Sequence, residues 1–297
     1  MRFGTSPKRL HVDRILLLAT RFKQFVMLPP SIQRSAWQRL SGIMTSQRRH
    51  YRRVEPIPFH VGEQSARAAL REKPFWILSL DGGGLRGVFT ARILERLHGR
   101  FPELLDRVSL VAGTSTGGIL ALLLAAGYSP ADCVRIYEDE GPAVFRKPLI
   151  GGLLSYLFKA KYEPIALAQL ADRYLGKRTM GDLDKFVLVT AFRVDDKPSQ
   201  HAVHNQPGDD ERRGWRPAVF SNLPFVPGVA IPDSALLCRD AGLRTSAAPT
   251  LFPLHQGYAD GVLTANNPSL VAVGKVLAHF PKLKRSEMRV LSIGGGW

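Results

Sequence analysis

Residues 109–126 run from an apolar stretch, Ser109-Leu110-Val111-Ala112, through Gly113-Thr114-Ser115-Thr116-Gly117-Gly118 into a helix-compatible stretch, Ile119 to Ala126. A strand that enters a helix through so few residues must turn sharply. Glycines at 113 and 117 permit that turn, and the residue between them is pushed into a strained, exposed conformation. The same arrangement occurs upstream: strand-like Phe75-Trp76-Ile77-Leu78-Ser79-Leu80, a glycine-rich turn at 82–87, then a helical pattern over 88–98 with Val88, Ile93, Leu94 and Leu97 on one side. Strand–turn–helix units in succession predict an α/β fold, with a sheet covered by helices on both faces.

The pattern continues with a helix over 130–140, Pro130 near its start, and another over 165–176. Residues 186–192 read as a strand, 271–280 as a helix and 289–293 as a last strand. Residues 193–234, rich in Pro, Gly, Asp and Arg, read as a long surface loop or insertion. There is no internal repeat. The 297 residues suit one large domain with an appendage, and 45% hydrophobic content argues against global disorder.

The net charge of +16 is unevenly distributed: residues 1–54 hold 12 Lys/Arg and one acidic residue, Asp13, whereas the rest has 29 Lys/Arg against 24 acidic residues. Residues 1–70 therefore form a basic appendage, and residues 71–297 the folded domain. Short amphipathic helices are expected around 10–25 and 32–43, before Arg48-Arg49-His50-Tyr51-Arg52-Arg53. Three readings stand for this segment: a solvated tail, a peripheral membrane anchor and an organelle-targeting peptide. A nucleic-acid partner would rest on charge alone and is not expected. No apolar run is long enough to span a bilayer and no secretory signal is convincing. Two cysteines, Cys133 and Cys238, suggest a reducing, intracellular setting without a disulfide framework.

Ser115 is the first candidate nucleophile, and a plain helix cap is its bland alternative. Gly82, Gly83 and Gly84 precede a helix, where successive N–H groups form an anion-binding concavity. Gly82-x-Gly84-x-x-Gly87 also matches a dinucleotide fingerprint, but Glu103 and Asp106 lie in a turn-like context rather than at the end of a second strand. Asp260-Gly261 alone reads as an ordinary turn. A Ser-His-Asp triad would need His201, His204, His255 or His279 after the serine. His201 and His204 fit a solvated loop, His279 a helix cap or surface residue, and His255 stays open. A Ser–Asp dyad is the alternative. No ligand cluster for a metal stands out.

In order, Asp-Gly-Gly-Gly-Leu-Arg-Gly at 81–87, Gly-Thr-Ser-Thr-Gly-Gly at 113–118, Arg-Thr-Ser-Ala-Ala-Pro-Thr at 244–250, Asp260-Gly261 with Asn266-Asn267-Pro268, and Val290-Leu291-Ser292-Ile293-Gly294 resemble the patatin-like phospholipases. The resemblance covers about residues 75–295. It implies a three-layer α/β fold with a mainly parallel central sheet flanked by helices. It also implies a serine acyl hydrolase that acts on phospholipid or related acyl lipids without a cofactor or metal. By the same resemblance Ser115 attacks the acyl carbonyl and Asp260 takes its proton. Gly82, Gly83 and Gly84, helped by Arg86, hold the oxyanion, and Gly87, Gly113, Gly117 and Gly261 are motif glycines. Two departures stand out: Val262 where the family commonly has Gly or Ala, and Gly294-Gly295-Gly296 where it often has Gly-Thr-Gly. The sequence then stops while many members continue, so the closing helices of the fold are not expected. A latent membrane-binding or regulatory module of the same fold is the alternative to an active enzyme.

Overall fold

The computed structural model describes residues 74–145, 162, 164–194, 215–224 and 233–295. The N-terminal appendage with its two amphipathic segments, the boundary at residue 70, and His201 and His204 lie outside the described residues.

The sheet begins with β1 (Phe75–Leu80) and β2 (Val108–Gly113), and continues with β3 (Phe186–Arg193), β4 (Arg216–Ser221), β5 (Tyr258–Asp260) and β6 (Met288–Ile293). Its order is β4-β3-β2-β1-β6, with β5 paired to β3 as well. The β6, β1, β2 and β3 strands run parallel, while β4 and β5 lie antiparallel to β3. Helices along the chain are α1 (Gly87–Arg100), the single turn α2 (Leu104–Arg107), α3 (Thr116–Ala125), α4 (Pro130–Val144), α5 (Pro164–Tyr174), α6 (Cys238–Thr245) and α7 (Ser269–His279).

Alternation along the strands divides the core in two. Leu78, Leu80, Val111, Val187 and Val189 face one layer with Ala91 and Leu94 of α1 and the apolar residues of α3, α4 and α5. Phe75, Ile77, Leu110, Ala112, Phe186 and Leu188 face the other, against Ala272 and Val276 of α7. Strands buried on both faces explain why β1, β2 and β3 read as unbroken apolar runs. Every residue of α3 is buried, as its all-round apolar composition requires. Each of its leucines contributes about 2 kcal/mol by burial. The capping box of α4, in which Ser129 and Asp132 bond each other's backbone N–H at 3.1 Å, starts that helix at Pro130.

The strands and helices expected between residues 75 and 192 and after 269 are all present, with ends shifted by a few residues. Four elements were not expected. The single helical turn α2 lies where the sequence around Glu103 and Asp106 reads as turn-like. β4 lies inside the stretch read as a loop, α6 is a polar-looking helix, and β5 is only Tyr258–Asp260. His279, expected as a helix cap or a surface residue, does end α7 but is not at the surface: it is 4% exposed, with Nδ1 2.9 Å from the Pro224 carbonyl. Cys133 and Cys238 are both buried and free, so no bridge joins them.

Candidate active site

The pairing of β3 brings the site together. β2 pairs with β3 only as far as Gly113 opposite Val189. β5 then pairs further along the same strand, with Asp260 opposite Ala191. Asp260 therefore occupies the sheet just beyond the end of β2, where the chain turns into α3. Ser115 stands at that turn, at the carboxyl end of the parallel strands, as ligand sites do in such sheets.

The turn is tight. A Cβ on Gly113 would lie 2.2 Å from the Gly117 carbonyl oxygen, and one on Gly117 would lie 2.4 Å from that of Leu80. No side chain fits at either position. Ser115 itself takes φ 55° and ψ −126°, a strained conformation for a residue with a side chain. Its hydroxyl donates to Asp260 Oδ2 at 2.7 Å. The other carboxylate oxygen, Oδ1, accepts the Val262 N–H at 2.8 Å. Ser115 is 9% exposed and Asp260 1%. Burial pushes the Asp260 carboxyl up to about 6, against the hydrogen bonds from Ser115 and Val262 that favour its charged form. Such a carboxylate is a stronger base than an exposed one and is still ionised near neutral pH.

Val262, the departure beside Asp260, does not disturb this geometry: its side chain is 46% exposed and only its N–H enters the site. Gly261 packs against β3, where a Cβ would lie 2.4 Å from the Thr190 carbonyl oxygen. At Gly87 a Cβ would lie 2.9 Å from the Tyr137 ring. The Tyr137 hydroxyl in turn donates to the Thr116 carbonyl in the first turn of α3.

The glycine loop after β1 lies beside the serine, since a Cβ on Gly82 would come 3.3 Å from that of Ser115. Gly82 corrects one expectation. Its N–H, expected to be open to an oxyanion, donates to the Asn266 carbonyl at 3.1 Å and is already used inside the protein. Gly84, in the same loop, adopts φ +57°, which favours glycine. Arg86 is exposed, with Nε 3.5 Å from the Gly83 carbonyl, and braces that turn. The loop thus closes on Ser115 and Asn266 rather than on a second acidic strand end, which removes the basis of the dinucleotide reading.

The remaining motif segments hold these parts. Asn267 donates to Asp81 Oδ1 at 2.9 Å and to Ser292 Oγ at 2.8 Å, joining the loop after Asp260 to β1 and β6. Burial pushes the Asp81 carboxyl up, and the Asn267 hydrogen bond opposes this. The Thr114 hydroxyl donates to the Ala265 carbonyl at 2.8 Å and lies 2.7 Å from that of Thr190. Arg244 stacks on Tyr258 and Phe220, 4.6 and 5.0 Å from the ring centroids, and bonds Gln256. His255 lies 3.1 Å from Asp240 through Nε2, so it pairs with that carboxylate rather than with Asp260. Thr114 lies inside a motif segment read from the sequence, whereas Thr190, in the middle of β3, had no local signal. Among the described residues no group of His, Cys, Asp or Glu could hold a metal ion, and no helix is long and apolar enough to cross a membrane.

Residues 78–273 match the family model described as Patatin-like phospholipase. A cGAMP-activated phospholipase of Pseudomonas aeruginosa is 31% identical over 229 residues, covering 74% of this chain and 62% of that protein. A cGAMP-activated phospholipase of Vibrio cholerae is 32% identical over 244 residues, 73% of this chain and 63% of that protein. Patatin-like protein 1 of Arabidopsis thaliana is 29% identical over 238 residues, 69% of this chain and 52% of that protein. The chain thus spans less than two thirds of the length of these relatives. With a matched model over most of the folded region and the motif segments gathered at one end of the sheet, the chain belongs to the patatin-like phospholipase family.

Proposed function

We propose that this chain is a serine acyl hydrolase that cleaves carboxylic ester bonds of phospholipids or related acyl lipids. The observation that carries the proposal is the 2.7 Å hydrogen bond from the strained Ser115 to a buried Asp260. Relatives named as phospholipases support the same substrate class.

In the proposed reaction the Ser115 Oγ forms a bond to the acyl carbon while its proton passes to Asp260 Oδ2. The carbonyl oxygen becomes an oxyanion that accepts hydrogen bonds from the Gly83 and Gly84 N–H groups, with the Arg86 charge nearby. The intermediate collapses, the ester C–O bond breaks, and the Asp260 proton goes to the leaving alkoxide. Water then attacks the acyl-enzyme, gives its proton to Asp260, and releases the fatty acid as the proton returns to Ser115. The basic residues 1–54 suit an anionic lipid surface, where the substrate would be found.

Fatty-acid release from phosphatidylglycerol vesicles by the wild type, Ser115→Ala and Asp260→Asn tests the reading, with folding checked by circular dichroism. The wild type alone is expected to release fatty acid. Equal release by all three folded proteins overturns the mechanism, and a folded wild type that a fluorophosphonate probe fails to label favours a latent membrane-binding module. Deletion of residues 1–54 is expected to weaken vesicle binding and to leave hydrolysis of a soluble ester intact.

A further inference from the structure

A strained serine must be held by its surroundings. The carbonyl of Ser115 accepts the Ile119 N–H at 3.0 Å, an ordinary first-turn helix bond. Its N–H points elsewhere. It donates to Thr245 Oγ1 at 2.8 Å, across 130 residues of sequence. Thr245 is the last residue of α6 and is fully buried. Its methyl faces the first turn of α3, where a Cβ on Gly118 would meet Thr245 Cγ2 at 2.8 Å.

The other partner of the reaction is held by the same stretch of chain. The Asp260 N–H donates to the Ala247 carbonyl at 2.9 Å. Residues 245–247 thus bind the backbone of both Ser115 and Asp260, one through a side chain and one through a carbonyl. This stretch is itself anchored. Arg244 stacks on Phe220 of β4 and Tyr258 of β5, and the Ser246 hydroxyl donates to the Gly242 carbonyl at 2.6 Å. The segment therefore acts as a spacer between the serine turn and the aspartate strand.

We propose that Thr245 is a positioning residue for Ser115. Its hydroxyl oxygen, rather than its bulk, keeps the turn in the conformation that places Oγ on Asp260. The proposal rests on the reading of Ser115 as the nucleophile. Without an acceptor, the Ser115 N–H is buried unpaired, and the peptide is free to rotate toward other partners. A small displacement of Oγ costs rate steeply, because attack needs a narrow range of approach.

The test compares Thr245→Ser, Thr245→Val, Thr245→Ala and Ser115→Ala in the full chain. The readouts are the rate of labelling by a fluorophosphonate probe, kcat and KM on a soluble ester, and the Tm. Thr245→Ser keeps the acceptor and loses the methyl, so it is expected to label close to the wild-type rate. Thr245→Val and Thr245→Ala lose the acceptor. Their labelling and kcat are expected to fall roughly tenfold to a hundredfold, with KM little changed. Labelling by Thr245→Ala at the rate of Thr245→Ser overturns the proposal even if the valine variant fails to fold. A loss that follows Tm across all three variants also overturns it, since bulk alone would then explain the effect. A folded wild type that labels no faster than Ser115→Ala removes the nucleophile reading, and this proposal with it.

Discussion

The Ser115 hydroxyl donates to Asp260 Oδ2 at 2.7 Å while the Val262 N–H occupies Oδ1 at 2.8 Å, so one carboxylate oxygen is reserved for the serine. Burial holds this carboxyl at about 6. A base must be ionised to accept a proton, so kcat/KM for a soluble ester is expected to climb with pH through about 6 and level off above it. A profile that is flat between about pH 4.5 and about pH 8 would remove Asp260 from the role of base.

The same burial links the carboxyl to stability. Its folded value of about 6 lies above the ordinary 3.8, so the folded chain holds the proton more tightly than the unfolded chain. The resulting stabilisation is fully present below about 3.8 and is lost as pH rises through about 6. Asp260→Asn keeps the shape and an acceptor for Val262 and carries no charge. It is expected to abolish turnover yet raise stability near pH 8 by about 2 kcal/mol. Thermal melts at acidic and alkaline pH measure this directly, and a variant less stable than the wild type at alkaline pH would contradict it.

Elements that bury an unbroken apolar run were legible in the sequence. These were β1, β2, α3 and β3, where burial on both sides leaves no alternation to misread. β4 was hidden because it is an antiparallel strand whose first residues, Arg216–Val219, are only partly buried or exposed, set in a Pro- and Arg-rich stretch. α6 was hidden because its Asp240 and Arg244 are buried by pairing with His255 and Gln256 rather than left in water. β5, at three residues, is too short to show a period. Ser115 and Asp260 were legible through their motifs, but the spent N–H of Gly82 and the contact from Thr245 were not. Both depend on residues more than a hundred positions away.

The glycines of the serine turn should separate from a helix glycine of no special role. At Gly113 a Cβ would lie 2.2 Å from a backbone oxygen that cannot move aside. Gly113→Ala is expected to cost about 3 kcal/mol or more and to abolish labelling of Ser115. Gly274 is an exposed position within α7 whose Cβ would meet nothing within 4 Å. Gly274→Ala is therefore expected to stabilise the protein by about 0.5–1 kcal/mol with activity unchanged. Urea unfolding of the two variants measures both effects, and equal midpoints would refute the distinction.

Asn267 offers a last separation, between packing and charge. Its amide nitrogen joins Asp81 to Ser292, and its Oδ1 accepts the Ser269 N–H at 3.0 Å. Through this bridge the loop that follows Asp260 is fastened to the loop that carries Gly83 and Gly84. Asn267→Ala removes the donor and is expected to cost about 1 kcal/mol. It should also lower kcat more than it changes KM, because the oxyanion donors would no longer be fixed relative to Ser115. Asn267→Asp keeps the size but sets a second carboxyl against Asp81, whose own carboxyl burial already pushes up. Two facing carboxylates repel, and one of them holds a proton when the pH falls. The aspartate variant should therefore be less active than the alanine variant at neutral pH, and the gap between the two should narrow as the pH falls. If Asn267→Asp matches the wild type at neutral pH, the bridge does not hold the oxyanion loop in place.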